Sequence, residues 1–196
     1  MPRTSPSESG TRSRILDAAE GLAQARGFNG FSYADVAARL GVTKASLHYH
    51  FPGKAQLGQT LIERYAARFL HALDEIDAVV TAPVEKLGAY ADLYADVLRQ
   101  ERMCLCGMLA AEYETLPGAM RAAIRNFFDE NQRWLMKVMT EGLSDGTMRF
   151  PGTPEDRART ILDGLEGALL VARTYGDASR FQSVARNLIT SLSGAR

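Results

Sequence analysis

Lys44, Ala45 and His48 stand at i, i+1 and i+4, so on a helix they share one face of small or polar side chains. Such a face leaves room for the edge of a base pair, and the Lys44 ammonium can donate to a guanine in the major groove. Ser46, Tyr49 and His50 flank that surface with donors of the kind that reach phosphate oxygens. The chemistry these residues offer is therefore recognition of double-stranded DNA rather than catalysis.

The elements that must hold this face can be read on either side of it. Val36, Ala37 and Leu40 make the apolar side of a short helix that Ser32 and Asp35 start in the manner of a capping box, so the helix should begin at Tyr33. Gly41 followed by apolar Val42 is a Schellman-type stop, and Thr43 caps a second helix. On that second helix Leu47 and Phe51, four apart, should turn inward. A turn this tight forces a sharp crossing of the two helices, the helix-turn-helix.

Ser13-Arg14-Ile15-Leu16-Asp17-Ala18-Ala19, Arg26-Gly27-Phe28, Val36 to Lys44, and Leu47-His48-Tyr49-His50-Phe51-Pro52-Gly53-Lys54 together resemble the DNA-binding domain of the TetR family. The resemblance implies a homodimeric, ligand-responsive transcriptional repressor that binds a palindromic operator. It implies base contacts near Lys44, Ala45 and His48, and phosphate contacts near Ser32, Thr43, Tyr49, His50 and Lys54. With Tyr33 and Ser46 added, the expected DNA-binding set is Ser32, Tyr33, Thr43, Lys44, Ala45, Ser46, His48, Tyr49, His50 and Lys54. Gly53 departs from the family's frequent Ser, Thr or Asn at the cap of the fourth helix, a difference of a few tenths of a kcal/mol.

Composition agrees. The chain of 196 residues is 46% hydrophobic and 23% charged, enough for one sizeable core or two small ones. Net charge is zero, yet residues 1–54 hold seven Lys/Arg against four Asp/Glu, and the remainder sixteen against nineteen. A basic head on an acidic body fits a nucleic-acid partner at one end. No apolar run approaches the ~18 residues of a membrane span, and the N-terminus lacks a signal-peptide core, so the expected location is the cytoplasm.

The periodicities predict an all-α chain of about nine helices. Residues 1–10 read as a disordered tail in which Arg3 could touch DNA, as could Arg12 just beyond it; residues 11–54 form the helix-turn-helix domain and 55–196 an effector-binding and dimerisation body. Helix one is expected over Ser13–Arg26, and a long helix from Lys54 to about Val79 joins head to body. The last two helices, about Pro154–Tyr175 and Ala178–Leu192, carry Ile161, Leu165, Ala168, Leu169, Ala172, Phe181, Val184 and Leu188 as the candidate dimer interface. In the resembled family these two helices form that interface.

Tyr90, Tyr94, Met103, Cys104, Met108, Tyr113, Phe127 and Trp134 lie on helices that should converge, and could line an apolar effector pocket with a few polar groups. Cys104 and Cys106, two apart, face different ways on a helix, which opposes a mutual disulfide or shared metal site. They read as buried small hydrophobes or, alternatively, as a redox or electrophile trigger if a thiolate lay near Arg99, Arg102 or Lys137. No phosphate loop, metal set or nucleophile motif appears. Neither a cofactor nor a metal is expected, and a helical enzyme or bare interaction module is the competing class.

Overall fold

The computed structural model describes residues 6–192. Among these there are nine α-helices and no strand: α1 Pro6–Arg26, α2 Tyr33–Leu40, α3 Lys44–His50, α4 Lys54–Val79, α5 Pro83–Arg99, α6 Leu105–Ala110, α7 Gly118–Ser144, α8 Pro154–Tyr175 and α9 Ala178–Thr190. A 3-10 turn, Tyr113–Thr115, follows α6. The bounds of α4 and α8 coincide with those read from periodicity.

The start of α1 does not. It begins at Pro6, so residues 6–10 of the expected tail are helical; proline suits the first helical position because it has no N–H to leave unpaired. Arg3 lies outside the described residues. Arg12 sits with its guanidinium 4.9 Å from the centre of the Phe51 ring.

Two compact units form. The first holds the chain up to Tyr65 together with Leu105–Ile124, and the second holds Ala66–Cys104 and Arg125 onward. The first unit thus holds α6 and the start of α7 together with the helix-turn-helix. The reason is a set of long-range contacts that local periodicity does not encode. The Glu112 carboxylate accepts from the backbone N–H of Phe28 at 2.6 Å and of Asn29 at 3.2 Å, and Asn29 Nδ2 donates to Thr115 Oγ1 at 2.7 Å. Arg64 ties α4 to α1 through Asp17 at 2.8 Å and Glu20 at 2.9 Å. Gly58 lets the helices close up: a Cβ there would stand 2.6 Å from both the Phe28 ring and the Met120 side chain.

In the second unit α5, α8 and α9 pack on one another. Thr153 caps α8 by accepting from Asp156 N at 3.1 Å, and Gly176 ends it in the left-handed conformation at φ 61°. Leu188 of α9 fits against Gly164 of α8, where a Cβ would lie 2.8 Å from a Leu188 methyl. The Lys86 ammonium, nearly buried, bridges Asp77 at 2.8 Å and Glu141 at 3.0 Å. Asp77 also accepts from Trp134 Nε1 at 3.2 Å and Lys137 at 2.9 Å. This network fastens α4, α5 and α7 together.

Candidate nucleic-acid interface and body interior

The helix-turn-helix assembles from local signals. Ser32 and Asp35 form the reciprocal capping box, with Ser32 N donating to Asp35 Oδ2 at 2.7 Å and Asp35 N to Ser32 Oγ at 3.4 Å. Gly41, at φ 68°, ends α2, and Val42 N donates to Ala37 O at 3.1 Å, the closing bond of a Schellman turn. Thr43 Oγ1 accepts from Ser46 N at 3.2 Å to start α3. Val36 and Leu47 are both fully buried, and Phe51 nearly so. Leu47 is thus the inward anchor of α3, and Lys44, Ala45, His48 and Tyr49 are left exposed. Tyr49 is 73% exposed, a proportion that packing alone does not produce for an aromatic ring.

The ten sequence-selected residues sort differently once the atoms are placed. Lys44, Ala45, His48 and Tyr49 share the exposed surface, with Thr43 at its edge and Ser46 and His50 half-buried. His48 lays its ring 4.7 Å from that of Tyr33 and brings Nδ1 to 3.4 Å from Pro52 O. Ser32 is exposed but its hydroxyl donates to Asp35 at 2.6 Å. Tyr33 is buried, and its hydroxyl donates to Phe51 O at 2.8 Å, so its role here is to fasten α2 to the end of α3.

Lys54 is likewise turned to structure. Its ammonium donates to the carbonyls of Phe28 and Phe31 and lies 4.5 and 4.4 Å from the centres of those two rings. Burial lowers its pKa, with Glu112 and Asp35 opposing the shift. Lys54→Met is expected to cost about 1–2 kcal/mol by leaving two carbonyls without their charged donor. Thermal unfolding of the variant checks this; an unchanged midpoint would mean the ammonium is free for other partners.

Of the eight candidate pocket residues, Tyr90, Tyr94, Met103, Cys104, Phe127 and Trp134 lie in the second unit and are buried. Met108 and Tyr113 belong to the first and are half-buried. Phe69 stands edge-on to Tyr90, Tyr94 and Phe127 with centroids 5.2–6.0 Å apart, and Tyr90 stacks on Trp134 at 5.5 Å. Two polar residues that the apolar stripes concealed complete this interior. Asn131, fully buried, occupies the α7 stripe four residues after Phe127, and Glu166 stands on the α8 stripe between Leu162 and Leu169. A polar residue at an otherwise apolar step of a buried helix was the available signal.

These groups form a directed chain. Asn131 Nδ2 donates to Phe127 O at 2.8 Å, which orients the amide, and Tyr90 donates to Asn131 Oδ1 at 3.0 Å. Tyr90 and Tyr94 hydroxyl oxygens are 3.1 Å apart, within hydrogen-bond distance. Glu166 lies beyond, beside Tyr94 and the Cys104 thiol. Burial raises its pKa to about 7, offset in part by hydrogen bonding from Cys104 and Tyr94, while Asp163 adds repulsion. Neither Glu166 oxygen closes a hydrogen bond of ordinary geometry.

Cys104 and Cys106 are both fully buried, and neither is in a disulfide. Lys137 is engaged by Asp77, and Arg99 is paired with Asp96. The Glu166 carboxylate lies beside Cys104, which disfavours a thiolate. On α8 and α9, Ile161, Leu165, Leu169, Ala172 and Phe181 are buried inside the chain's own packing, leaving them no surface for a second copy. Leu188 is half-buried against Gly164 and Ala168 is half-buried. The exposed apolar side chains are Leu170, Val171, Tyr175 and Val184, of which the expected set held only Val184. The inward stripe is the easier one to read because it has the stronger period; the outer patch is interrupted by polar neighbours.

A three-helix head presenting the second helix of a helix-turn-helix is the architecture of a DNA-binding regulator. Residues 15–59 match the family model described as bacterial regulatory proteins, tetR family, and residues 83–188 match the tetracyclin repressor-like C-terminal domain. The chain belongs to the TetR family of DNA-binding transcriptional regulators. It is 27% identical over 177 residues to the transcriptional regulator AcuR of Cereibacter sphaeroides, covering 88% of this chain and 80% of that one. The transcriptional repressor NemR of Escherichia coli is also 27% identical, with 85% of each chain covered. A TetR-family regulator from Agrobacterium tumefaciens superposes with a TM-score of 0.92 at 29% identity, over 95% of this chain and all of that one. Among the described residues no helix is long and apolar enough to cross a membrane.

Proposed function

We propose that the protein is a homodimeric repressor that binds a palindromic operator and is released when a small molecule enters the body. The observation that carries the operator reading is the division of α3: Leu47 is wholly buried, while Lys44, Ala45, His48 and Tyr49 form an uninterrupted exposed face. In this reading Lys44 donates to a base edge, His48 and Ala45 shape the fit, and Thr43, Tyr49 and His50 meet phosphates. Ser32 contributes at the rim, and Tyr33 and Lys54 position the helix from behind.

Repression rather than activation is favoured by relatives such as NemR and the repressor DhaR of Mycobacterium sp., both named as repressors. The dimer is supported by the exposed apolar patch of Leu170, Val171, Tyr175 and Val184 on α8 and α9. Two heads would then meet half-sites about 34–36 Å apart. A chromosomal operator places the protein in the cytoplasm. The burial of both thiols, with the Glu166 carboxylate beside Cys104, favours a small-molecule effector over a cysteine trigger.

The test is binding to the DNA upstream of the protein's own gene, titrated against salt and against scrambled DNA. Lys44→Ala is expected to weaken operator binding by about 1–3 kcal/mol and to relax preference at one base pair, with an unchanged melting temperature. Equal affinity for operator and scrambled DNA would refute the reading. Unaltered affinity and specificity in the variant would remove Lys44 from base recognition.

A further inference from the structure

We propose that His48 acts as a hydrogen-bond acceptor on the operator: its Nε2 lone pair selects the exocyclic amino group of a cytosine or adenine in the major groove. The inference rests on the operator reading above and gives His48 a base chemistry opposite to that of Lys44.

The Pro52 carbonyl fixes the tautomer. His48 Nδ1 stands 3.4 Å from Pro52 O, and a carbonyl oxygen can only accept, so Nδ1 carries the ring proton. In a neutral imidazole the other nitrogen is then a bare acceptor. The Tyr33 ring backs the imidazole at 4.7 Å with a tilt of 54°, and Tyr33 is itself fastened to Phe51 O at 2.8 Å. Two neighbours thus hold the ring while the residue stays exposed. Among the described residues Pro52 O is its one hydrogen-bond partner.

The two polar side chains of this face divide the bases between them. Lys44, one helical turn earlier, lines the same open recess as His48, Ser32 and Tyr33. An ammonium has N–H donors and no lone pair, so Lys44 suits guanine N7 and O6. Cytosine N4 and adenine N6 are the amino donors of the major groove, whereas guanine N7 and O6 and thymine O4 are acceptors. Opposite Nε2 those acceptors meet a lone pair with no proton between them, and so does a phosphate oxygen. One turn of α3 therefore carries a donor and an acceptor, and discriminates by repulsion as well as by attraction.

The test uses the whole protein at pH 8, where ordinary imidazole side chains are neutral. Duplexes are selected from a randomised pool by the wild type and by His48→Ala, and affinities are read by fluorescence anisotropy. The preference that His48→Ala loses is expected to fall on one cytosine or adenine of each half-site. Removing that amino group, with 2-aminopurine for adenine or pyrimidin-2-one for cytosine, is expected to weaken the wild type about fivefold and to leave His48→Ala unchanged. The two analogues tell the two bases apart. His48→Lys is expected to select guanine at the same position. His48 is a surface side chain, so the variants should fold, and their melting curves confirm it.

The proposal fails if neither analogue weakens the wild type, if the penalty persists in His48→Ala, or if 7-deazaguanine carries the His48-dependent penalty instead. Retention of cytosine or adenine by His48→Lys overturns it even where His48→Ala binds too weakly to select. Equal binding of selected and scrambled duplexes would overturn the operator reading itself; selective binding with any of the other failures overturns the base assignment alone.

Discussion

Glu166→Gln is expected to abolish most of a pH dependence of stability amounting to roughly 3 kcal/mol in the wild type. In the unfolded chain this carboxyl titrates near 4.5, and in the fold at about 7. Between those values the folded protein holds a proton that the unfolded chain has lost. Stability from this group is therefore complete below pH 4.5 and declines as pH rises through 7, the reverse of a salt-bridged carboxylate. Tyr90, Tyr94, Cys104 and Asp163 face or influence the same group; both tyrosines are held far toward the neutral form by burial, so they stay protonated through this range.

Asp35, Asp156 and Asp177, whose pKa values are lowered chiefly by hydrogen bonds at helix starts, act in the opposite sense but only in acid. Urea unfolding at pH 5, 6, 7 and 8, at one protein concentration, isolates the Glu166 contribution. The wild type should lose stability across this series and Glu166→Gln should stay nearly level. Parallel curves for the two proteins would show that the carboxylate is solvated in solution.

The second large effect is expected at Leu47. This side chain is the buried anchor of a helix only seven residues long, well below the length at which a helix persists in water without packing. Leu47→Ala removes its buried branch and should cost about 3 kcal/mol, within the range for a fully buried leucine. Operator and non-operator DNA should lose affinity together, because the whole reading surface loses its support. Hydrogen exchange should accelerate at the amides of α2 and α3 and remain as in the wild type across α8 and α9. Loss of affinity for the operator alone, with unchanged exchange, would assign Leu47 a direct part in recognition.

The contrast between Leu47 and Lys44 shows what was legible before any coordinates. The capping box of Ser32 and Asp35, the Gly41-Val42 stop, the Thr43 cap and the inward pair of Leu47 and Phe51 are all set by interactions within a few residues. Periodicity and cap chemistry therefore determined the head, its exposed face, the all-α class and the bounds of α4 and α8 without reference to the rest of the chain.

What only the tertiary structure decided depends on residues far apart. Lys54 has the look of a phosphate contact until Phe28 and Phe31 bring carbonyls and ring faces around its ammonium. Glu112, 84 residues from Phe28, draws α6 into the same compact unit as the head. Ile161, Leu165 and Leu169 looked available to a partner chain because a stripe shows that a face is apolar and not which surface covers it. Asn131 and Glu166 are not singled out by the sequence because it does not show that two helices bring their polar exceptions into one interior. Local hydrogen bonding and periodicity are properties of a short segment, whereas burial, donor direction and the pKa of a carboxylate are properties of the neighbours that folding supplies.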